Sequence, residues 1–288
     1  MKNSIIVFTL FSFFTIKIVA QGDEPKPPNK SNHYLEIGFG NNFHGVRDES
    51  TSPLIYSGNL PTVHLEYFLK NNTFIGIIEN DFSIGYLKTR NYPIYDSNKS
   101  LSVNNTLSIR PYFRVSQSIN SKFAFFAGGE FGWFTNIRLN DKFNNASLNY
   151  EIGTFLAPSA LLTYKTSWQA KKLRIGFFSF NRRNRDILFQ YELGLPVVSN
   201  TLRPGYVTIS DFVDNNSYTI DLKDFQFASL NKLFMVNSRF SLYYILHNNN
   251  MLKFDYKVGY YNYHTSANPV KGFHSTLLFS IVFRFSNN

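Results

Sequence analysis

The sequence predicts an all-β protein, an antiparallel transmembrane β-barrel of about 12 strands, with about 14 as the alternative, in an up-and-down meander. Polar and apolar residues alternate with a period of two through many segments. Aromatic residues make up 18% of the 288 residues, with 31 Phe and 18 Tyr. The mean hydropathy of −0.20 fits strands whose lipid-facing and lumen-facing residues alternate. No amphipathic helix pattern supplies a cover for the apolar faces, so lipid is the expected cover.

The last strand, residues 272–285, gives the clearest alternation. His274, Thr276 and Arg284 fall on one face, and the opposite face carries Phe273, Ser275, Leu277, Phe279, Ile281, Phe283 and Phe285. A terminal strand that ends in an aromatic residue resembles the C-terminal insertion signal of bacterial outer-membrane β-barrels. This resemblance implies an integral protein of a Gram-negative outer membrane, which meets the outer-membrane insertion machinery through this strand.

The N-terminus has the features of a secretory signal peptide. Lys2 precedes an apolar run at residues 5–16, and Val19-Ala20 forms a small-residue site before Gln21. The run is shorter than the roughly 20 residues of a spanning helix. We therefore expect a signal peptide at residues 1–20, a periplasmic leader at 21–32 and the barrel at 33–288. The Ala-Gln junction resembles signal peptides of Bacteroidota.

Alternation predicts the strands of the first half one by one, because in each of them the apolar residues occupy every second position. These strands cover residues 34–39, 62–70, 74–88, 101–115, 123–139 and 148–164. Residues 173–180 and 188–198 form another predicted pair. Residues 199–237 are ambiguous and hold either one strand within 206–222 or three strands, and the wall ends with strands at 240–247, 252–263 and 272–285.

The connections predict which end of each strand lies outside. Short ones, at residues 71–72, 118–121, 167–171 and 248–250, alternate with longer polar ones at 43–59, 89–100, 140–147 and 264–271. Short turns are typical of the periplasmic side and long loops of the outer side. We therefore expect both chain ends to lie in the periplasm, which requires an even number of strands. Pro111, Pro158 and Pro196 interrupt predicted strands and require bulges or local strand ends.

The composition limits the classes of partner and cofactor that are expected. The formal net charge is +10, but the basic residues are spread along the chain without a nucleic-acid motif. Cysteine is absent, and no nucleotide-binding or metal-ligand motif is recognisable, so no cofactor and no metal are expected. We expect outer-membrane lipids, lipopolysaccharide and envelope proteins as partners, and no nucleic acid.

The first candidate site is the set of charged residues on the predicted lumen face. Its members are Glu66, Arg110, Arg114, Glu130, Arg138, Glu151, Arg174, Glu192, Lys253, Asp255, Lys257 and Arg284. Around an open lumen their basic excess would favour small polar or anionic solutes, which predicts porin-like passage. In the alternative, opposite charges pair and plug a narrow barrel, which suits a structural or accessory barrel of a larger envelope complex.

The second candidate is the pair His264 and Ser266, at the predicted outer end of a strand and on its lipid face. This pair resembles the catalytic pair of outer-membrane phospholipase and of the barrel lipid A deacylases. The resemblance implies a His that deprotonates a Ser for attack on an acyl ester. The neighbouring segment 275–281 offers no lipid-facing Asp, Glu or Asn to orient the His, and a plain polar loop is the alternative.

The third candidate is the loop with Arg182, Arg183 and Arg185. The alternation of connections predicts that it lies outside. There its guanidinium groups could bind lipopolysaccharide phosphates, because Arg presents paired donors that match phosphate oxygens. The alternative is a solvated charged loop.

Overall fold

The computed structural model describes residues 31–49, 52–89, 98–116, 122–140, 142, 148–168, 172–175, 178–181, 185–203, 225–264 and 269–285. These residues contain β1 (Asn32–Asp48), β2 (Ile55–Lys70), β3 (Phe74–Thr89), β4 (Lys99–Ser116), β5 (Phe123–Leu139), β6 (Leu148–Trp168), β7 (Lys172–Ile175), β8 (Phe178–Asn181), β9 (Arg185–Gly194), β10 (Val198–Leu202), β11 (Gln226–Ser229), β12 (Leu233–Ile245), β13 (Met251–Tyr263) and β14 (Val270–Phe285). None of them forms a helix long and apolar enough to cross a membrane. The predicted signal peptide and leader fall almost entirely outside the described residues.

Ten strands close into an antiparallel ring in the order β1 to β6, β9, β12, β13 and β14. The ring closes where β14 pairs with β1, from His33 opposite Phe285 to Asp48 opposite Val270. The first and last strands therefore place Asn32 and Phe285 at the same end of the barrel, which we call the termini end; the other is the far end. The predicted all-β antiparallel barrel is confirmed. The predicted number of wall strands, 12 or alternatively 14, is wrong, because the ring contains ten.

The ring leaves out two strands, β10 and β11, that extend the sheet from β6. β6 pairs with β9 from Ser159 to Trp168 and with β10 from Ile152 to Leu156. β10 in turn pairs with β11, and both lie outside the ring. The predicted strand at 188–198 thus ends early, at residue 194. Residues 204–224, most of the ambiguous segment, lie outside the described part of the chain.

The prolines mark irregular places in the sheet, as expected. Pro196 lies between the end of β9 and the start of β10, and Pro158 lies on β6 where the partner changes. Pro111 pairs with Gly76 on the β3 side, whereas the β4–β5 ladder is interrupted at Pro111. Each missing N–H donor is therefore accommodated where regular pairing stops.

A local hairpin accounts for one of the two miscounted strands. The predicted wall strand at residues 173–180 is divided into β7 and β8, which pair with each other in a separate two-stranded sheet. Arg174 therefore lies in this hairpin and not in the barrel wall, which corrects its prediction as a lumen residue. Alternation reveals a strand but not its partner, so the sequence pattern did not distinguish a hairpin from a wall strand.

The outer face of the ring carries the predicted apolar band. Phe279 on β14 is 57% exposed, and the same face of the ring exposes Phe39, Leu65, Ile78, Phe82, Leu107, Ile109, Phe113, Phe125, Phe131, Trp133, Leu156, Leu162, Phe254, Tyr256, Leu277 and Phe283. Such a band of exposed aliphatic and aromatic side chains is typical of a surface that faces hydrocarbon.

The strands continue beyond this band at the far end. β1 runs to Asp48 and β2 begins at Ile55, so the predicted long loop at 43–59 is wrong. On the outer face of this extension the Asn41 amide donates a hydrogen bond to Asn59 Oδ1 at 3.1 Å. Strands of 16 or 17 residues exceed the roughly 9–11 that cross a bilayer, and polar outward residues fit a part that projects beyond it.

Apolar side chains fill both ends of the barrel interior. The termini-end cluster consists of Phe68, Ile75, Ile77, Tyr112, Ala124, Phe126, Leu161, Tyr243, Met251 and Val282. The far-end cluster consists of Val46, Tyr56, Leu60, Leu87, Ala228, Leu233, Tyr263 and Val270. Polar and charged side chains occupy the length between them.

The pairing of β1 with β14, which is the seam that closes the ring, depends on a glycine. A Cβ at Gly40 of β1 would lie 1.9 Å from the backbone oxygen of Leu277 on β14, an atom that cannot rotate away. We expect Gly40→Ala to lower the free energy of unfolding by about 1–3 kcal/mol, as overpacking typically does. Urea titration in phospholipid vesicles, followed by gel mobility, measures this loss. Gly45→Ala is the control, because its Cβ would meet nothing closer than 3.9 Å, and equal losses for both would contradict the seam argument.

The apolar band gives a second prediction. If Phe279 faces hydrocarbon near the middle of the bilayer, Phe279→Arg should lower the free energy of unfolding by about 2–4 kcal/mol. Phe279→Leu, which keeps an apolar side chain, should cost much less. Refolding both variants into vesicles and titrating them with urea measures the difference. An arginine tolerated as well as leucine would mean that the band faces water.

Candidate functional site

A layer of charged residues crosses the middle of the barrel. We call it the central layer. The strands β1 to β5, β9, β12 and β13 supply its members: Glu36, His64, Glu66, Glu79, Asp81, Arg110, Glu130, Glu192, Arg239, Lys253, Asp255 and Lys257. Each strand aims these residues inward because they alternate with the apolar residues of the outer band.

Arg239 joins opposite walls of the barrel. One of its terminal nitrogens lies 2.8 Å from Glu66 Oε2 and 2.7 Å from Glu79 Oε2, and the other lies 2.8 Å from Asp255 Oδ2. β12, which carries Arg239, and β3, which carries Glu79, are five strands apart in either direction around the ring. This guanidinium group therefore crosses the lumen and is only 4% exposed.

Two lysines of β13 extend the network. Lys253 Nζ lies 2.7 Å from Glu36 Oε2 and 3.4 Å from Glu66 Oε1. Lys257 Nζ lies 2.6 Å from Asp81 Oδ2 and also contacts Glu79. Because the carboxylates are shared among several cations, these contacts form one continuous network.

Arg110 and His64 complete the central layer. Arg110 contacts Glu79 and lies 3.6 Å from Glu192 Oε2. His64 Nδ1 lies 2.7 Å from Asp81 Oδ1, and its Nε2 lies 3.1 Å from Glu36 Oε1. The imidazole therefore lies between carboxylates of two different strands.

The central layer has more carboxylates than cations. Among the described residues named above, seven carboxylates face two arginines and two lysines, with His64 between them. The basic excess predicted for the lumen as a whole is therefore reversed in this layer. The sequence reasoning missed Glu36, Glu79, Asp81 and Arg239.

The missed residues had weak but recognisable signals. Glu36 lies on the polar side of the alternation in β1. Glu79 and Asp81 follow residues 75–78, which are apolar on both faces and obscure the register. Arg239 precedes a predicted strand start at residue 240, whereas β12 begins at Leu233.

Two groups within this layer have the spacing of metal ligands. Ligand atoms of Glu36, His64 and Glu66 lie within 4.8 Å of one another, as do those of His64, Glu79 and Asp81. The same carboxylates already contact the ammonium and guanidinium groups described above. A metal ion would have to displace these cations, so the arrangement fits an ion-pair network better than a metal centre.

A second charged layer lies closer to the far end. Arg138 lies 2.7 Å from Asp48 Oδ2 and 3.0 Å from Glu151 Oε1. Arg203 contacts Asp48 and lies 3.4 Å from Glu151 Oε1. β1 and β5, which carry Asp48 and Arg138, are four strands apart, so this far layer also crosses the lumen.

A polar chamber of about 160 Å³ adjoins the central layer on its far side. Asn42, His44, Asn104, Asn136 and His274 contribute to its lining. His44 is 3% exposed, and within the described part of the chain neither of its ring nitrogens has a hydrogen-bond partner. A polar cavity of this size has room for several waters, which would satisfy these nitrogens.

The remaining predicted lumen residues lie at the termini end. The Arg114 guanidinium carbon lies 5.1 Å from the centre of the Phe126 ring. Arg284 donates a hydrogen bond to Asn32 Oδ1 at 2.6 Å. The structure therefore distributes the predicted set over three levels of the barrel, with Arg174 in the separate hairpin.

The second candidate site is only partly described. His264 is exposed just after β13, and its backbone N–H donates to the Lys232 carbonyl oxygen at 2.7 Å. Ser266 lies outside the described residues, so the proposed His–Ser geometry stays a prediction.

Of the third candidate site the structure describes only Arg185. Arg185 begins β9 opposite Trp168, where β6 ends, and this is the termini end of the barrel. For Arg185 the predicted end of the barrel is wrong, because the hairpin at 173–180 was counted as a wall strand and shifted the chain by one crossing. Arg182 and Arg183 lie outside the described residues.

Comparison with known proteins gives matches only among solved structures. No family model matches the sequence, and no curated protein matches it. The outer-membrane protease OmpT from Escherichia coli is similar at 8% identity and a TM-score of 0.49, covering 88% of this chain and 97% of that one. An outer-membrane channel from Pseudomonas putida F1 is similar at 11% identity and a TM-score of 0.36, covering 92% of this chain and 100% of that one.

A third neighbour is the translocator domain of the autotransporter NalP from Neisseria meningitidis, with 7% identity, a TM-score of 0.34 and 98% coverage of both chains. These neighbours are bacterial outer-membrane proteins.

The central layer generates a stability prediction. Arg239→Ala would leave the carboxylates of Glu66, Glu79 and Asp255 without their shared partner, so we expect a loss of about 3–5 kcal/mol in the free energy of unfolding. Urea titration in vesicles measures it. Arg47→Ala is the matched control: its 3.2 Å pair with Glu49 is exposed, with side chains 44% and 38% accessible, and should contribute about 0–1 kcal/mol. Equal losses would show that Arg239 is not the junction of the network.

Proposed function

We propose that this protein is an outer-membrane β-barrel with a closed lumen, and that it acts as a structural or accessory barrel of the envelope. The observation that carries this proposal is the pairing of charges across the lumen, above all Arg239 with Glu66, Glu79 and Asp255. Side chains that meet in the middle leave no open path of the kind a porin needs.

The obstacles to passage lie one behind another. A solute would meet the far-end cluster, the far layer, the central layer and the termini-end cluster in turn. An ion that entered an apolar cluster would lose its hydration without gaining a partner. Opening any single level would therefore leave the others closed.

Porin-like passage of polar or anionic solutes is the alternative function. The polar chamber beside the central layer is the observation in its favour, because a hydrated cavity on the barrel axis could belong to an interrupted path. Such passage would require the shared carboxylates of the central layer to exchange partners. Acyl-ester hydrolysis by His264 and Ser266 gains no support from the described residues.

The outer-membrane location is part of the proposal. The exposed apolar band and the aromatic end of β14 support it. With the termini in the periplasm, the far end projects from the cell and the β7–β8 hairpin lies on the periplasmic side. We place the source organism among the Bacteroidota because of the Ala20-Gln21 junction alone.

A barrel with a closed lumen would act through its two ends. The ring holds the far-end extensions of its strands rigidly outside the membrane, where they can contact other envelope components. At the termini end, β7 and β8 and the mouth of the barrel face the periplasm. Partners of either end should copurify with the barrel from mildly solubilised membranes.

Conductance in a planar lipid bilayer tests the proposal. We expect the folded mature chain to be silent, and Arg239→Ala to stay silent, because the other levels remain closed. A quadruple variant with Tyr56→Ala, Arg138→Ala, Arg239→Ala and Phe126→Ala thins all four levels at once and should give measurable current. Gel mobility confirms that each variant is folded before it is measured.

A steady, ion-selective current through the unaltered protein would contradict the closed-lumen proposal and support porin-like passage. A current that appears on Arg239→Ala alone would show that the central layer is the only barrier and therefore acts as a gate.

A further inference from the structure

The polar chamber contains two histidines that come from the first and last strands of the ring. His44 of β1 and His274 of β14 both line it, and they lie directly opposite each other in the β1–β14 register. Residues in such positions have Cβ atoms about 4.5–5.5 Å apart. The two imidazole rings therefore share one wall of the chamber. The closed-lumen function proposed above gives neither ring a role.

His44 is a buried imidazole whose ring nitrogens are both unused. It is 3% exposed, and neither nitrogen has a hydrogen-bond partner in the described part of the chain. Asn42 precedes it by two residues on the same face of β1, and the buried Oδ1 of Asn42 also lacks a partner among the described residues. Buried polar atoms are normally satisfied. A ligand that takes up lone pairs from nitrogen and oxygen would complete this wall.

The charge around the chamber favours a cation as this ligand. Among the described residues, the adjoining central layer has seven carboxylates for two arginines and two lysines. Glu130 lines the chamber, is 8% exposed, and forms no ion pair with another described residue. In the far layer, Arg138 is held by Asp48 and Glu151. Because buried carboxylates are costly without a compensating charge, a bound cation would offset an excess that water leaves in place.

We propose that the polar chamber binds a divalent transition-metal ion, such as Zn²⁺, through imidazole nitrogens of His44 and His274. Imidazole suits Zn²⁺, Cu²⁺ and Ni²⁺, whereas Mg²⁺ and Ca²⁺ prefer oxygen ligands. Asn42 Oδ1 can supply a third ligand, and the chamber has room for waters that complete the coordination. This site differs from the groups around His64, whose carboxylates already contact lysine and arginine side chains.

His274 has the freedom to turn toward the metal. Its ring lies over Gly259 of β13, where a Cβ would be 2.1 Å from the imidazole Cε1. The absence of a side chain at Gly259 leaves room for the ring on this side, and rotation about the His274 side-chain bonds brings the ring toward His44. Because the ligands lie on the first and last strands, the sequence contains no spacing motif for this site.

Metal uptake during refolding tests the site. The mature chain is refolded into phosphatidylcholine vesicles with ZnCl₂, washed, and analysed for zinc by atomic emission. We expect about one Zn²⁺ per chain. The urea midpoint should be higher than without metal, because a ligand that binds only the folded state stabilises it. His44→Gln/His274→Gln should retain no zinc above the background of empty vesicles, and its midpoint should not respond to ZnCl₂.

A matched control removes two histidines outside the chamber. His247 and His264 are both exposed. His247→Gln/His264→Gln should leave the zinc content and the shift in urea midpoint unchanged. Gel mobility confirms that each variant is folded. A second readout needs no variant, since electron paramagnetic resonance of the Cu²⁺-loaded unaltered protein should show hyperfine coupling to imidazole nitrogens.

Three outcomes would overturn the proposal. Zinc retained by His44→Gln/His274→Gln would place the metal elsewhere, and an equal loss in the control variant would place it on exposed histidines. Absence of zinc from the unaltered protein would mean that water alone fills the chamber. Because the metal is supplied before the barrel forms, its uptake does not depend on a closed lumen. The site can therefore fail while the closed-lumen proposal stands, and the reverse.

Discussion

The constraint on which this structure depends is the narrow interior of a closed ring of ten strands. A strand that turns one face to lipid must turn the other to the lumen, and the lumen of a small barrel is filled by the side chains it receives. Charged residues in that position cannot remain alone, because a buried unpaired charge is far costlier than a paired one. The pairs therefore form with whatever lies across the lumen, as Arg239 does with Glu79.

The same constraint explains why charge varies along the barrel axis. In the central layer the excess carboxylates share Arg239, Lys253 and Lys257, and His64 lies between Asp81 and Glu36. At the termini end Arg114 lies over the Phe126 ring, and Arg284 donates a hydrogen bond to Asn32 Oδ1. The termini-end cluster separates the two regions.

The sequence predicted which face each residue occupies better than it predicted how the strands are arranged. Alternation alone assigned Phe279 to the outer face and Asp255 to the inner one, because side-chain direction follows strictly from a period of two. The ring size did not follow, since a strand pattern does not reveal its partner. The hairpin of β7 and β8 has the same alternation as a wall strand, and counting it as one also moved Arg185 to the wrong end.

The ion pairs of the central layer could not be predicted from the sequence, for a related physical reason. These pairs join residues up to 217 positions apart, as between Lys253 and Glu36, and they depend on which strands face each other across the ring. Inward direction could be read for most of these residues, but not the partner of any. The predicted basic excess reflected residues summed over the whole length of the barrel, whereas pairing is decided within one layer.

Because the diameter of a barrel grows with its strand number, the central layer also depends on the number being ten. In a ring of ten, β12 and β3 are directly opposite, and one arginine can reach from Asp255, beside it, to Glu79 on the other side. Two more wall strands would widen the lumen and separate these groups, leaving buried carboxylates without partners. Buried ion pairs contribute little net stability compared with apolar packing, yet misplacing them is costly. We interpret the central layer as a network that disfavours other ring sizes, which is consistent with β10 and β11 remaining outside the wall.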